Sequence, residues 1–325
     1  MPDFKRLLAI ALMLLSPWAL ALAPIPTVMT PIERFENLED WPYVTQYVDV
    51  APYQLQMAYV DEGPADGEIV LLMHGNPGWG YEFRDMIQPL VNAGYRVIVP
   101  DLIGFGQSEK PVQREEQTYI NQVSWVSSFM DALDLQSINL FCQDWGGLIT
   151  LRIAGSQPER FNTILAANTA LPDGTNVGTD VFLLWRNFIS EIVPNFSIIM
   201  QSATVTELTP GELAAYDAPF PPGKRRFQAG PRQLPKEVPV AGNDNFPNDT
   251  INITAREGLA QFNQPFLTIF ALDDLITTNA DLDLQQLVPG AQGQPHQRVI
   301  AGHYIQDDQG PLLAEAMIQL IQQAQ

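Results

Sequence analysis

Six residues constrain the fold of this chain most: Phe141-Cys142-Gln143-Asp144-Trp145-Gly146, at the point where an apolar, strand-like run from Ser137 to Phe141 gives way to a helix-like stretch. A chain that reverses from strand into helix so abruptly has room for nothing bulky two places to either side of the turn. Cys142 and Gly146 fill those places and Asp144 stands between them. The pattern, small-x-nucleophile-x-Gly, makes Asp144 the candidate nucleophile. A carboxylate at such a turn attacks an electrophilic carbon directly, needs no partner to deprotonate it, and leaves an ester for water to cleave. Trp145, its neighbour, becomes a clue to the leaving group.

Strand-like and helix-like stretches alternate around this turn. Strands are expected at Ile69–Met73, Tyr95–Val99, Ser137–Phe141 and Thr163–Ala167, with helices at Tyr81–Val91, Tyr119–Leu133 and Gly146–Ser156. Such βαβ alternation implies a mostly parallel, doubly wound sheet covered on both faces. From about Leu171 to Thr250 the rhythm breaks into Pro- and aromatic-rich sequence, with Trp185, Tyr216, Pro219-Phe220-Pro221-Pro222 and Phe246-Pro247. It resumes with a strand at Phe266–Leu272, a helix near Ala280–Val288, a strand at His296–Ile300 and a last helix from Pro311 to Gln323. We therefore expect an α/β core over 24–170 and 251–325, interrupted by an inserted cap over 171–250. A chain of 325 residues, 46% of them hydrophobic, suffices for one such core, and no repeat points to a solenoid.

The first 23 residues read differently. Lys5 and Arg6 precede an apolar run from Leu7 to Leu15, and Ala19, Ala21 and Ala23 follow, the charged, apolar and small-residue regions of a cleavable secretory signal. The run is broken by Ser16-Pro17 and falls short of the ~20 apolar residues that span a bilayer, so cleavage is expected rather than anchoring. The mature protein is then periplasmic or secreted, without stable membrane association. A net charge of −20 argues against nucleic acid or an anionic membrane as partner. Cys142 is the single cysteine, read as a small core residue, so no internal disulfide supports the fold. Oligomeric state is left open.

A catalytic base and acid are expected downstream of the nucleophile, each on a loop at the carboxyl end of a strand. Of three histidines, His303 in Gly302-His303-Tyr304 follows the last strand and is the candidate base. His74, which directly follows Ile69–Met73, is read as structural, and His296 as an ordinary surface residue. For the acid, the turn Leu272-Asp273-Asp274-Leu275-Ile276-Thr277 offers two adjacent aspartates, and both fit.

Three stretches, His74-Gly75-Asn76-Pro77-Gly78-Trp79, Asp101-Leu102-Ile103-Gly104-Phe105-Gly106-Gln107-Ser108-Glu109-Lys110-Pro111 and Gln143-Asp144-Trp145-Gly146-Gly147, resemble the signatures of the haloalkane dehalogenases. The resemblance extends to Thr30–Tyr43, to Phe182-Leu183-Leu184-Trp185-Arg186 and Tyr216-Asp217-Ala218-Pro219-Phe220-Pro221 of the expected cap, and to Gly302–Asp308. It implies an α/β-hydrolase fold with an inserted helical cap, no cofactor and no metal. It also implies Asp144 as nucleophile, His303 as base, Trp145 and Trp185 as halide ligands, and the backbone N–H groups of Asn76 and Trp145 as the oxyanion hole. Its acid turn, laid against Phe270–Thr277, favours Asp274. The chain departs from the pattern where Gly78, Gly80 and Glu82 replace the usual Thr, Ser and hydrophobic residue, so a looser, more acidic loop is expected there. Asn76 is typical of one branch of the family and Trp185 of another, which leaves Asn76 as a rival for second halide ligand.

Substrate, water and halide are thus the expected partners, with an alkyl ester on Asp144 hydrolysed by water that His303 activates. Physical chemistry points the same way, because a departing halide in an apolar pocket needs donors that are neither nucleophiles nor countercharges, and indole N–H groups qualify. Trp79 is read as packing. An epoxide hydrolase shares the triad but uses two cap tyrosines, and this cap holds only Tyr216. A haloacetate dehalogenase would carry a cation for the carboxylate where Trp145 stands. A secreted binding module on the same scaffold leaves an intact triad unexplained. Chain length and preferred halogen of the substrate are not encoded in any of these motifs.

Overall fold

The computed structural model describes residues 24–244 and 247–325; the expected signal segment, residues 1–23, lies outside the described residues. Among them, the main sheet has strands β1 (Gln46–Val50), β2 (Leu55–Glu62), β3 (Ile69–Met73), β4 (Arg96–Pro100), β5 (Ile138–Gln143), β6 (Phe161–Ala167), β7 (Phe266–Ala271) and β8 (Gln297–Val299). Their spatial order is β8-β7-β6-β5-β3-β4-β2-β1. Pairing is parallel from β4 to β8 and antiparallel at the β1, β2 and β4 edge.

Uncharged runs such as Ile-Val-Leu-Leu-Met in β3 and Ile-Asn-Leu-Phe-Cys-Gln in β5 sit mid-sheet because both of their faces are covered. Side chains alternate between two cores: Leu71 and Met73 join Leu140 and Cys142 on one face, while Val70 and Leu72 join Phe141 on the other. Helices α1 (Arg84–Asn92) and α10 (Ile305–Ala324) cover the second face; α2 (Tyr119–Ala132), α3 (Asp144–Ser156), α8 (Asn248–Leu259) and α9 (Ala280–Leu287) cover the first. Close packing of α3 on α8 depends on two glycines, since a Cβ on Gly258 would meet Gly155 O at 1.7 Å.

Three differences from the sequence reading have simple causes. The β1–β2 hairpin went unread because β1 is a half-exposed edge strand, and its turn runs through left-handed Tyr53 and Gln54 (φ 75 and 55) rather than glycine. The last helix begins at Ile305 instead of Pro311; its backbone leaves helical geometry at Gln309 (φ −138, ψ 24), so Pro311 lies early in a new segment where its missing N–H costs little. His296 is no free surface group: its Nδ1 accepts the Thr268 amide at 3.0 Å and its Nε2 lies 2.8 Å from Ala291 O.

Between β6 and α8 the chain forms α4 (Asp180–Glu191), α5 (Phe196–Ser202), α6 (Pro210–Asp217) and α7 (Ala229–Glu237) over the carboxyl ends of the strands. Helix α8 runs through residue 250, where the sequence reading set the return to the core. Arg84 ties this layer down: it pairs with Glu212 of α6 at 2.6 Å and with Asp307 at 2.7 Å, and Tyr216 donates its hydroxyl to the same Asp307 at 2.7 Å. No helix among the described residues is long and apolar enough to cross a membrane.

Candidate active site

The register Met73 opposite Cys142, and Gln143 opposite Ala167, brings the carboxyl ends of β3, β5 and β6 level, so the residues that follow each strand converge. Asp144 opens α3 with φ +46, a left-handed conformation that a non-glycine residue adopts at a cost of ~1–3 kcal/mol. The neighbours impose it. A Cβ on Gly146 would lie 2.2 Å from Met73 O, and one on Gly147 would lie 2.0 Å from Thr169 Oγ1, so only glycine lets the helix start this close to the sheet. Asn168 O accepts the Asp144 amide at 3.1 Å and the Thr169 hydroxyl donates to Asp144 O at 2.7 Å.

The Asp144 carboxylate is held from two sides. The Asn76 backbone N–H donates to Oδ1 at 2.8 Å, and His303 Nε2 stands 3.5 Å from Oδ2. His303 Nδ1 lies 3.1 Å from Asp274 Oδ1, an ion-pair contact whose hydrogen-bond alignment is poor, as catalytic contacts often are before substrate binds. Burial alone would depress the His303 pKa, but Asp274 and Asp144 outweigh it and push it up to about 10. Burial likewise acts to raise Asp274, yet His303, the Thr277 hydroxyl and the Ile276 amide hold it below the usual carboxylate range. Asp273 faces solvent, whereas Asp274 is buried beside the histidine.

Asn76, Trp145 and Trp185 border the same cavity of about 910 Å³ as Asp144, Asp274 and His303. Leu148, Leu171, Phe182, Ile199, Val238 and Val240 supply much of its apolar wall. Trp79 Nε1 donates to Ala215 O at 3.1 Å and Trp125 Nε1 to Pro52 O at 3.2 Å, while among the described residues no acceptor takes up the indole N–H of Trp145 or Trp185. The Trp145 amide belongs to the first turn of α3, where backbone donors have no partner inside the helix. Asn76 Nδ2 donates to Pro231 O at 3.3 Å and its Oδ1 has no partner among the described residues. Tyr216, the one cap tyrosine, is buried on Asp307 and does not reach this cavity.

His74 has both ring nitrogens on backbone, Nε2 accepting the Leu102 amide at 2.9 Å and Nδ1 2.8 Å from Gly75 O; burial lowers its pKa to about 4. The sequence reading passed over Asn168, which is fully buried and donates to Gly302 O at 3.0 Å and His303 O at 2.9 Å while accepting the Ala271 amide at 2.8 Å. Gln143 and Tyr304 were also passed over; they donate to His303 O at 3.0 Å and Asn76 O at 3.1 Å. A polar pair, Asn168-Thr169, directly after a buried strand was the available signal. The loop expected to be loose is instead wholly buried from 75 to 83.

A family model described as the alpha/beta hydrolase fold matches residues 68–309. The chain is 45% identical to a haloalkane dehalogenase of Mycolicibacterium paratuberculosis (strain ATCC BAA-968 / K-10), over 89% of this chain and 96% of that relative. It is 42% identical to a haloalkane dehalogenase of Psychrobacter cryohalolentis, over 90% and 97% of the two chains. Among solved structures, it resembles a tetrameric haloalkane dehalogenase from Paraglaciecola agarilytica NO2 with a TM-score of 0.82 and 30% identity, covering 90% of this chain and 97% of that one.

Proposed function

The chain belongs to the haloalkane dehalogenases of the α/β-hydrolase superfamily and hydrolyses carbon–halogen bonds, and we propose that Asp144, His303, Asp274, Trp145 and Trp185 divide the reaction among them. Asp144 attacks the halogen-bearing carbon, forming a carbon–oxygen bond as the carbon–halogen bond breaks and the halide leaves with the electron pair. The product of this half is an alkyl ester on Asp144. Negative charge grows on a large, weakly basic atom in an apolar cavity, where an unpaired anion is very costly. The indole N–H groups of Trp145 and Trp185 stabilise it without offering a nucleophile or a countercharge that would trap the product.

In the second half His303, oriented by Asp274, takes a proton from water, whose oxygen attacks the ester carbonyl. The tetrahedral oxyanion forms on Asp144 itself, within reach of the Asn76 N–H that already bonds Oδ1 at 2.8 Å. Collapse breaks the bond between Asp144 Cγ and the alkyl oxygen, which takes the proton back from His303 and leaves as the alcohol; the restored Asp144 carboxyl, now carrying the water oxygen, gives its proton to solvent. The observation that carries this assignment is Asp144 at φ +46, wedged between an amide donor and a histidine in a cavity with two unclaimed indole donors.

His303→Phe tests it. The variant is expected to release a single equivalent of halide from a bromoalkane and to gain the alkyl mass on the peptide containing Asp144; normal turnover, or mass on another peptide, refutes the assignment. A panel of chlorinated and brominated alkanes, with styrene oxide as control, defines the substrate, and the burial of Tyr216 argues against epoxide opening. The basic, apolar and small-residue regions of residues 1–23 support export to the periplasm or beyond. N-terminal sequencing of protein recovered outside the cytoplasm checks this: a chain that still begins at Met1 counts against it.

A further inference from the structure

Glu82 breaks the usual rule for buried carboxyls. It lies in the short turn Gly80–Phe83 before α1, has no exposed surface, and is matched by no basic partner: Oε2 accepts from Gln306 Nε2 at 2.7 Å, and Oε1 has no hydrogen-bond partner among the described residues. The site exists because residue 78 is glycine. A Cβ on Gly78 would fall 1.3 Å from Glu82 Oε1, so the carboxyl occupies the volume a side chain at 78 would need.

The carboxyl therefore packs against Gly78, two residues from Asn76, whose N–H reaches Asp144. Gln306 extends the contact to the start of α10, three residues after His303, and from that same loop Tyr304 donates its hydroxyl to Asn76 O at 3.1 Å. We propose that Glu82, seated in the space Gly78 leaves, is a positioning residue that holds the Asn76 amide in place for the ester-hydrolysis half of the reaction. This rests on the reading of Asn76 as oxyanion donor. Burial, with Asp307 and Asp144 adding to it, drives the Glu82 pKa well above the usual carboxylate range. Gln has the same shape and can sit in the same space, so it is the conservative variant.

A role through the oxyanion donor separates the two half-reactions, because charge leaves the Asp144 carboxylate during carbon–halogen cleavage and builds up again on its oxygen, at the Asn76 N–H, during ester hydrolysis. In Glu82→Leu the halide burst is expected to stay near the wild-type rate while ester decay slows about tenfold or more, part of the 10²–10³ that a lost oxyanion donor costs. The alkyl-enzyme should then accumulate by mass, and Glu82→Gln should recover most of the lost hydrolysis. Gly78→Ala, which forces the carboxyl out of its site, should show the same split and carries the test should Glu82→Leu not fold. The inference is overturned if these variants hydrolyse the ester at the wild-type rate, if both halves slow in proportion, or if Gln recovers nothing. Failure of the underlying mechanism looks different: His303→Phe would form no adduct on Asp144 at all.

Discussion

Alkylation of Asp144 should change the acidity of His303 by an amount the geometry sets. In the free protein, burial opposes the charged imidazole but Asp274 and Asp144 hold its pKa at about 10. Esterification erases the Asp144 charge. Two unit charges 3.5 Å apart in an effective dielectric of about 20 interact by roughly 5 kcal/mol, or about three and a half pKa units. In the ester, His303 then titrates at about pH 6 to 7. Only the neutral imidazole accepts a proton from water, so ester hydrolysis must rise with pH through that range and level off above it. Halide release does not use His303 as a base and should not follow the same midpoint. Rapid-quench measurement of halide and of alkyl-enzyme, from about pH 5 to about pH 10, separates the two steps. Hydrolysis that is flat across the range, or whose midpoint stays near 10, would refute the claim that Asp144 holds the proton on His303.

Trp185→Phe keeps most of the apolar bulk and deletes one donor, so halide binding, read by saturable quenching of tryptophan fluorescence, should weaken by ~1.5 to 3 kcal/mol; unchanged affinity and activity would make Asn76 the better second ligand. Asp274→Asn is expected to cost several orders of magnitude in kcat, as loss of a histidine-orienting carboxylate does, and the exposed Asp273→Asn far less; the reverse ranking places the acid one residue earlier. Arg84→Met strands buried Asp307 without its countercharge, so stability in denaturant titration should fall by about 3 to 5 kcal/mol, and a loss below 1 would show that Tyr216 alone satisfies that carboxyl.

Local order is what this sequence determined. Small residues around Asp144 prescribe a strand-to-helix turn, uncharged aliphatic runs prescribe strands buried on both faces, and the chain order of Asp144, the Asp273-Asp274 turn and His303 places three reactive groups at strand ends. These are properties of neighbouring residues, and periodicity and steric bulk are enough to read them. Long-range packing decided the rest. Asp273 and Asp274 carry the same chemistry, and only the way the turn after β7 meets the histidine loop buries the second and leaves the first in solvent. Asn168 has no motif, yet parallel pairing of β6 with β5 and β7 makes it the bond between nucleophile, histidine loop and acid strand. In the sequence Glu82 only makes its loop more acidic; it is buried because Gly78, four residues away and folded back on it, leaves the space that its carboxyl fills.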